Sequence, residues 1–339
     1  MSVILSIILI VAAALTAAPL VGRSTGVQKA IVFASGDSNP NDNKPSATRN
    51  FYLTVDGEQF GVWHMLPSSA GIPDLDHEDE MSYYHDALRD PDATIILYLH
   101  GNGGDRANGG RLPLYKLLRS LNYHVFAIDY RSYGDSDDTY LSEESVVADA
   151  LKTYEYITDR TDRPIFIWGH SLGTAVATHM CSDLQRLGKP SPKGVILEAP
   201  FTNMQDELRG NSFGNIMSYH PLFKFGVADA IYKNKLRFES DEHILEFSAP
   251  VMILHARDDV VVPYDLGHRL YLIGSSQRLS GTGPVEFHSF DENREFGHME
   301  IYRAPELKGL VENFVHKYRE KNVTIPHFFR NTMQQCAHP

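Results

Sequence analysis

The pentapeptide Gly169-His170-Ser171-Leu172-Gly173 is the stretch of the sequence from which most of the fold can be inferred. It follows an apolar run over residues 164–168 that has the composition of a buried strand, and it precedes a helix-compatible run over residues 172–187. Glycines on both sides of the serine remove the clashes that a very tight turn would otherwise create. The sequence therefore predicts a strand, a sharp turn that presents Ser171, and a helix.

A serine on such a turn is typical of the nucleophile elbow of α/β-hydrolases. The free N–H groups and the dipole of the following helix favour the negative charge that develops on a carbonyl oxygen during acyl transfer. We therefore interpret Ser171 as a catalytic nucleophile, and Gly169 and Gly173 as the elbow glycines.

A serine nucleophile needs a general base and an acid that orients the base, and in this fold they follow the serine in the order acid, then histidine. Asp258 and Asp259 follow the fifth predicted strand, and their position favours Asp259 as the acid without excluding Asp258. His298 follows the sixth predicted strand. Because ligands bind beyond the carboxyl ends of parallel strands, these positions predict a triad of Ser171, Asp259 and His298.

Other candidates for the base and the acid are less well placed. His170 lies in the elbow, where its side chain is expected to point away from the triad, and His179 lies on the next helix, where a packing role is expected. His288 lies within a strand, and His268 lies on a surface-type helix. Glu198 ends another strand and is interpreted as structural.

An oxyanion hole requires one N–H from the residue after the nucleophile and one from the loop after an early strand. The first strand of the parallel run leads into residues 101–104, which read Gly-Asn-Gly-Gly, so the backbone amides of Asn102 and Leu172 are the predicted donors. No Gly-Lys-Ser/Thr follows this loop, no G-x-G-x-x-G is present, and no histidine, cysteine or acid cluster has metal-ligand spacing. We therefore expect no cofactor and no metal.

The rest of the chain alternates between apolar strand-like runs and helix-like runs, which predicts a doubly wound, mostly parallel α/β sheet. A hairpin over residues 51–66, turning at Asp56-Gly57, precedes this alternation. Residues 201–248 form a long interval rich in aromatic residues, which indicates a short helical cap or, alternatively, ordinary helix core. The strand candidates are residues 94–100, 124–130, 164–168, 194–198, 251–256 and 285–290. The helix candidates include residues 142–158, 172–187, 263–273 and 305–317.

The predicted organisation places one catalytic domain at residues 51–320, after a linker at residues 22–50 and before a tail at residues 321–339. Within the domain, residues 71–92 are acidic and read as a surface insertion with little core. The net charge of −12 makes a nucleic-acid partner improbable, and two cysteines exclude a disulfide framework. The composition leaves the oligomeric state open.

Residues 1–21 are almost entirely apolar and predict a membrane anchor or a cleaved secretory signal. Arg23 and Lys29 on the carboxyl side favour a cytosolic catalytic domain, whereas the glycosylation acceptor at Asn322 favours a lumenal one. The residues alone leave the orientation open.

Several motifs together resemble the abhydrolase-domain-containing twelve group of α/β-hydrolases, over about residues 51–315. They include two segments outside the generic fold motifs, GVWH at 61–64 and YHDAL at 84–88. The chain departs from the group at Ser132, where a glycine is usual. The other motifs are YLHGNGG (98–104), DYRSYGDS (129–136), WGHSLGT (168–174), EAPFTN (198–203) and LHARDD (254–259).

The resemblance implies a single-pass protein of the endoplasmic reticulum membrane, with a lumenal catalytic domain that cleaves lysophosphatidylserine and monoacylglycerols. Secretion after signal cleavage is the alternative localisation. The resemblance also implies Ser171 as nucleophile, Asp259 as acid and His298 as base. The function expected is therefore a serine carboxylic-ester hydrolase. A peptidase or thioesterase on the same fold, or a catalytically inactive binding protein, are the alternatives.

Overall fold

A computed structural model describes residues 32–34, 36–71, 77–108, 110–210 and 235–321. The strands are β1 (Gly36–Asp37), β2 (Thr48–Val55), β3 (Glu58–Met65), β4 (Ile95–Leu99), β5 (His124–Ile128), β6 (Tyr133–Gly134), β7 (Ile165–His170), β8 (Gly194–Glu198), β9 (Val251–Ala256) and β10 (Val285–Phe290). The helices are α1 (His77–Ala87), α2 (Arg111–Ser120), α3 (Glu143–Thr158), α4 (Leu172–Arg186), α5 (Met204–Gly210), α6 (Ser240–His243), α7 (Tyr264–Gln277) and α8 (Leu307–Tyr318).

Eight of the described strands form one sheet in the order β10-β9-β8-β7-β4-β5-β3-β2. The strands β4, β5, β7, β8, β9 and β10 pair in parallel, whereas β3 is antiparallel to both β2 and β5. The chain leaves β4 for β5 on one side and later returns to β7 on the other, so a crevice opens at the carboxyl end of β4. The predicted α/β-hydrolase architecture and the predicted hairpin are confirmed.

The core lies on both faces of this sheet because the parallel strands β4, β5, β7, β8 and β9 are buried along their whole length. Along β4, Ile95, Leu97 and Leu99 contact the cluster formed with α3, α4 and α7. Ile96 and Tyr98 point to the opposite cluster, which contains residues of α2 and α8. This two-residue alternation within a fully apolar run is the pattern expected for a strand covered by helices on both sides.

The structure differs from the predicted domain division near the N-terminus. The hairpin begins at Thr48, before the predicted boundary at residue 51, and Val32 and Phe33 are buried in the core. The residues between them also pair with the domain, because β1 runs parallel to β6. The polar composition of residues 22–50 predicted a linker, but two apolar side chains and a short ladder are enough to fix its second half on the domain.

Residues 71–92 also differ from the prediction of a surface insertion with little core. Helix α1 occupies half of this segment, and both Tyr84 within it and Leu88 just after it are buried. Their burial among so many acidic residues explains why composition alone did not indicate a packed helix.

Several predictions fall on residues outside those described. These are the apolar segment at 1–21, the start of the predicted linker, residues 211–234 of the predicted cap and the tail from 322 onward. In the part of the chain that the structure describes, no helix combines the length and apolarity that crossing a membrane requires.

Candidate active site

Ser171 occupies the tight turn between β7 and α4. Its backbone has φ 52° and ψ −120°, a conformation that non-glycine residues adopt at a cost and that occurs mainly at functional sites. A Cβ at Gly169 would lie 2.4 Å from the carbonyl oxygen of Gly173, and a Cβ at Gly173 would lie 2.0 Å from the carbonyl oxygen of Leu99. Both glycines are therefore required by close backbone approach, as predicted for an elbow.

His298 and Asp259 are joined by a hydrogen bond. Asp259 follows β9, and His298 lies in the loop after β10, the strand that pairs with β9. The Nδ1 atom of His298 lies 2.8 Å from Oδ2 of Asp259, whose side chain is fully buried. Because a carboxylate only accepts hydrogen bonds, Nδ1 carries the proton and Nε2 is the atom left for a proton acceptor role.

The Asp259 carboxylate is stabilised in its ionised form. Burial alone would raise its pKa, but hydrogen bonds from His255 and His298 hold the pKa of Asp259 below its usual range. Its other oxygen accepts hydrogen bonds of 2.9 Å from the backbone N–H groups of Val261 and Val262. A carboxylate held by hydrogen bonds from His298 and from two backbone N–H groups is rigidly placed to orient an imidazole.

Asp258, the alternative acid, has a different partner. Its Oδ2 accepts a 2.9 Å hydrogen bond from the backbone N–H of Gly297, the residue before His298. The structure thus brings Asp259 to the imidazole and Asp258 to the backbone of the same loop.

His170 contacts the loop that carries His298, so the prediction that its side chain points away from the triad was wrong. Its Nε2 lies 2.9 Å from the carbonyl oxygen of His298, and the two rings are 4.8 Å apart. Burial, followed by the neighbouring His298, lowers the pKa of His170 to about 3, so the ring is neutral. Because a carbonyl oxygen only accepts hydrogen bonds, Nε2 of the neutral His170 ring carries the proton and donates the hydrogen bond. This hydrogen bond holds the loop after β10 that carries His298, which we call the base loop.

The glycine-rich loop after β4 lies directly against the elbow. A Cβ at Gly101 would be 2.9 Å from Cβ of Ser171 and 2.9 Å from Nδ1 of His170. Gly103 and Gly104 have positive φ angles of 78° and 65°, which a side chain would strain. Such close approach is what an oxyanion hole built from backbone amides needs, and it places the segment that contains Asn102 beside the nucleophile.

The carbonyl groups of this loop are held by one buried arginine at the start of α2. Arg111 donates hydrogen bonds to the carbonyl oxygens of Gly103 at 2.9 Å, Gly101 at 3.3 Å and Asp105. This arginine was not predicted as a site residue, because its position after a glycine-rich loop carries no recognisable motif. A second buried arginine between β4 and α2, Arg106, donates hydrogen bonds to Asp129 at 2.5 Å and to Asp135 at 2.6 Å.

The Asn102 side chain has structural partners. Its Oδ1 accepts hydrogen bonds from the backbone N–H of Ala34 at 2.5 Å and from the Tyr133 hydroxyl at 3.3 Å. The N-terminal segment at 32–34 is therefore fastened to the glycine-rich loop. Leu172, the other predicted oxyanion residue, is the first residue of α4 and is buried.

Glu198 has the structural surroundings expected for it. Its Oε2 accepts a 2.9 Å hydrogen bond from Nε1 of Trp168, and its backbone carbonyl accepts from the N–H of Ser171. Burial raises the pKa of Glu198 to about 7. The residue therefore supports the elbow from the neighbouring strand.

Comparisons with solved structures show the same fold. An esterase of Pyrococcus furiosus superposes with a TM-score of 0.58 at 16% identity, covering 84% of this chain and 95% of the esterase. An acylaminoacyl peptidase of Pyrococcus horikoshii superposes with a TM-score of 0.57 at 16% identity, covering 83% of this chain and 43% of the peptidase. At these identities the likeness establishes the fold alone.

Sequence comparisons reach further than the fold. A family model described as serine aminopeptidase, S33, matches residues 90–227. The lysophosphatidylserine lipase ABHD12 of Danio rerio is 40% identical over 278 residues, which span 81% of this chain and 72% of the relative. The lipase of the same name from Mus musculus is 41% identical over 82% of this chain and 69% of the relative, and the human protein ABHD12B is 41% identical over 80% and 73%. The chain belongs to the ABHD12 family of the α/β-hydrolase superfamily.

Proposed function

We propose that this chain is a serine carboxylic-ester hydrolase that cleaves lysophosphatidylserine and monoacylglycerols through Ser171, His298 and Asp259. The observation that carries the proposal is the hydrogen bond from His298 Nδ1 to the buried Asp259, formed beside the strained serine elbow. The relatives from Danio rerio and Mus musculus, which are named lysophosphatidylserine lipases, support the choice of substrate.

The first chemical step follows from the tautomer of His298. Because Nδ1–H is engaged by Asp259, Nε2 takes the proton from the Ser171 hydroxyl as its oxygen attacks the ester carbonyl. Asp259 then stabilises the positive charge on the imidazolium without accepting the proton. The backbone amides of Asn102 and Leu172 stabilise the negative oxygen of the tetrahedral intermediate.

Collapse of this intermediate expels glycerol or the glycerophosphoserine part of the lipid, which takes the proton from His298. The fatty acyl group stays on Ser171 as an ester until His298 activates a water molecule that releases it. A thioester or peptide would follow the same path, because the machinery acts on the carbonyl and does not by itself select the leaving group.

Ser171→Ala is expected to lower kcat for lysophosphatidylserine by about 10⁶ while leaving the fold intact, since a triad nucleophile has no substitute. Fatty-acid release from purified full-length protein measures the effect, and labelling by a fluorophosphonate reports the activated serine. Ser275→Ala, at an exposed serine of α7, is the matched control and should retain full activity and labelling.

The substrate is tested by comparing lysophosphatidylserine, a monoacylglycerol, an acyl thioester and an acylated peptide with the same acyl chain. The proposal expects the highest kcat/KM for one of the two esters. A preference for the thioester or the peptide would overturn the ester assignment. A wild-type protein that neither turns over a substrate nor reacts with the fluorophosphonate would be a binding protein on a hydrolase fold.

We further propose that residues 1–21 hold the protein at the endoplasmic reticulum membrane with the catalytic domain in the lumen. Full-length protein should then stay with membranes after a carbonate wash, and glycosidase should shift its mobility unless Asn322 is replaced by Gln. Mature protein in the medium, beginning after the apolar segment, would instead indicate a cleaved signal. Digestion of the domain by protease outside intact microsomes would place it in the cytosol.

A further inference from the structure

A cluster of metal-ligating side chains lies away from the triad, where α3, α4 and α6 meet. It consists of Glu143, His179 and His243, and one potential ligand atom from each lies within 4.8 Å of the others. Among the described residues, this is the one group of three such side chains close enough to share an ion. The three residues are far apart in sequence, which explains why their spacing predicted no metal site.

Glu143 is fixed in place by the backbone of the segment before α6. Its Oε2 accepts hydrogen bonds from the backbone N–H groups of Arg237 at 2.9 Å and Phe238 at 2.8 Å. The carboxylate is nearly buried, with 6% of its side chain exposed. Its other oxygen, Oε1, therefore points in a set direction and is available as a single ligand.

His179 supplies the second atom. Its Nδ1 lies 2.9 Å from Oε1 of Glu143, and 17% of its side chain is exposed, so the pair can be reached from solvent. Two ligand atoms bound to one Zn²⁺ at about 2.0–2.2 Å in tetrahedral geometry lie roughly 3.3 Å apart. An ion can thus replace the shared proton with only a small opening of this hydrogen bond.

His243 completes the group from α6. Its ring stacks on that of His179, with centroids 4.1 Å apart and planes 29° from parallel. Its Nδ1 is buried and has no hydrogen-bond partner among the residues that the structure describes, a rare situation for a polar atom in a native protein.

We propose that Glu143, His179 and His243 form a Zn²⁺ site that joins α3, α4 and α6. Two imidazoles and one carboxylate are ligands that Zn²⁺ accepts, and water can occupy the fourth position. Zn²⁺ also has no geometric preference from its d electrons, which suits a site assembled from three separate elements. An ion there would give Nδ1 of His243 a bonding partner. It would also connect helix α4 to the segment that leads into β9.

The proposed role is structural, and it is independent of the ester chemistry. His179 lies two turns along α4 from Ser171, on the same helix whose N-terminus supports the oxyanion. Because binding to the folded state alone raises stability, Zn²⁺ should raise the thermal midpoint of unfolding. This outcome does not depend on which substrate the enzyme cleaves.

The test uses full-length protein carrying a tag without histidines and stripped of metal by a chelator. Zn²⁺ alone is titrated by calorimetry, and thermal unfolding is followed with and without it. His179→Asn and His243→Asn should each weaken Zn²⁺ binding by more than the roughly 10–100-fold cost of losing an outer-shell partner, and should remove the rise in Tm. His268→Asn and His288→Asn, at histidines outside the cluster, are the matched controls.

Co²⁺ provides a second readout, because the intensity of its visible bands reports tetrahedral coordination. Wild type and the two controls should show these bands, and the cluster variants should lose them. Prior labelling of Ser171 by a fluorophosphonate should leave Zn²⁺ binding unchanged, which separates this site from His298. A wild-type protein that binds no Zn²⁺, or a His179→Asn/His243→Asn double variant that binds it equally well, would overturn the proposal.

Discussion

The loop after β4 and the loop after β10 both contact the serine elbow but are fastened differently. The loop after β4 is held by a buried charged side chain, because Arg111 donates hydrogen bonds to three of its carbonyl groups. The loop after β10 is held by two hydrogen bonds of its backbone: the N–H of Gly297 donates to Asp258, and the carbonyl of His298 accepts from His170. The loop after β4 is therefore fastened by a buried charged side chain, whereas the loop after β10 is fastened by single hydrogen bonds at the edge of the sheet.

Because the two loops are held differently, substitutions in them should have different effects on stability and on catalysis. Removing a buried arginine leaves carbonyl groups without partners inside the protein, which costs folding free energy as well as loop geometry. Removing a single hydrogen bond from the base loop leaves the core intact and changes only where the imidazole sits. Substitutions of the buried arginine should lower both Tm and kcat, whereas removal of a single backbone hydrogen bond from the loop after β10 should lower kcat with little change in Tm.

The largest effect is expected on the base side, at the acid. Asp259→Asn should lower kcat by about 10⁴, because an amide cannot stabilise the imidazolium and favours the wrong tautomer. Asp258→Asn keeps an oxygen that can accept from the N–H of Gly297 and should cost less than about tenfold. Steady-state ester hydrolysis measures both variants, and a larger loss in Asp258→Asn would reverse the assignment of the acid.

On the other side, Arg111→Met should lower kcat by roughly 10²–10³, the cost of losing one oxyanion donor, and should also lower Tm. Arg119→Met is the matched control, because Arg119 lies on the same helix and donates to the carbonyl of Leu66, away from the serine. The control should lose stability without losing kcat. If Arg111→Met unfolds no more easily than wild type, the loop is not fastened by buried charge.

The same contrast explains what could be predicted from the sequence. The strands β8, β9 and β10 were predicted with the observed bounds. The first two are mainly apolar runs between polar loops, and β10 alternates between apolar and polar residues. The elbow and the order of Asp259 and His298 were predictable because a tight turn and the ends of strands have recognisable sequence patterns. Such patterns depend on neighbouring residues alone.

Contacts between distant segments have no such local sequence pattern. The bond from His170 to the carbonyl of His298 joins residues 128 positions apart, and the pentapeptide does not reveal where the base loop will lie. Arg111 and the burial of Phe33 were missed for the same reason, since each depends on a partner brought by the fold. The choice between Asp258 and Asp259 likewise required the direction of each side chain.

A smaller effect is expected from His170. His170→Ala should lower kcat by about 10–100-fold with Tm little changed, since only the base loop loses a hydrogen bond. His170→Gln retains an N–H donor near the position of Nε2 and should recover most of the activity. Equal losses in both variants would indicate that the ring is needed for packing.

The smallest effect is expected from the Asn102 side chain, although its backbone amide is a proposed oxyanion donor. Its Oδ1 is already occupied by Ala34 and Tyr133, and an acceptor oxygen cannot stabilise an anion. Asn102→Ala should therefore lower kcat by less than about tenfold, compared with about 10²–10³ for the loss of a whole donor. Tyr133→Phe, which removes one of the two partners, should be milder still. A loss above a hundredfold in a folded Asn102→Ala protein would mean that the N-terminal segment, through Ala34, sets the position of the oxyanion loop as firmly as Arg111 does.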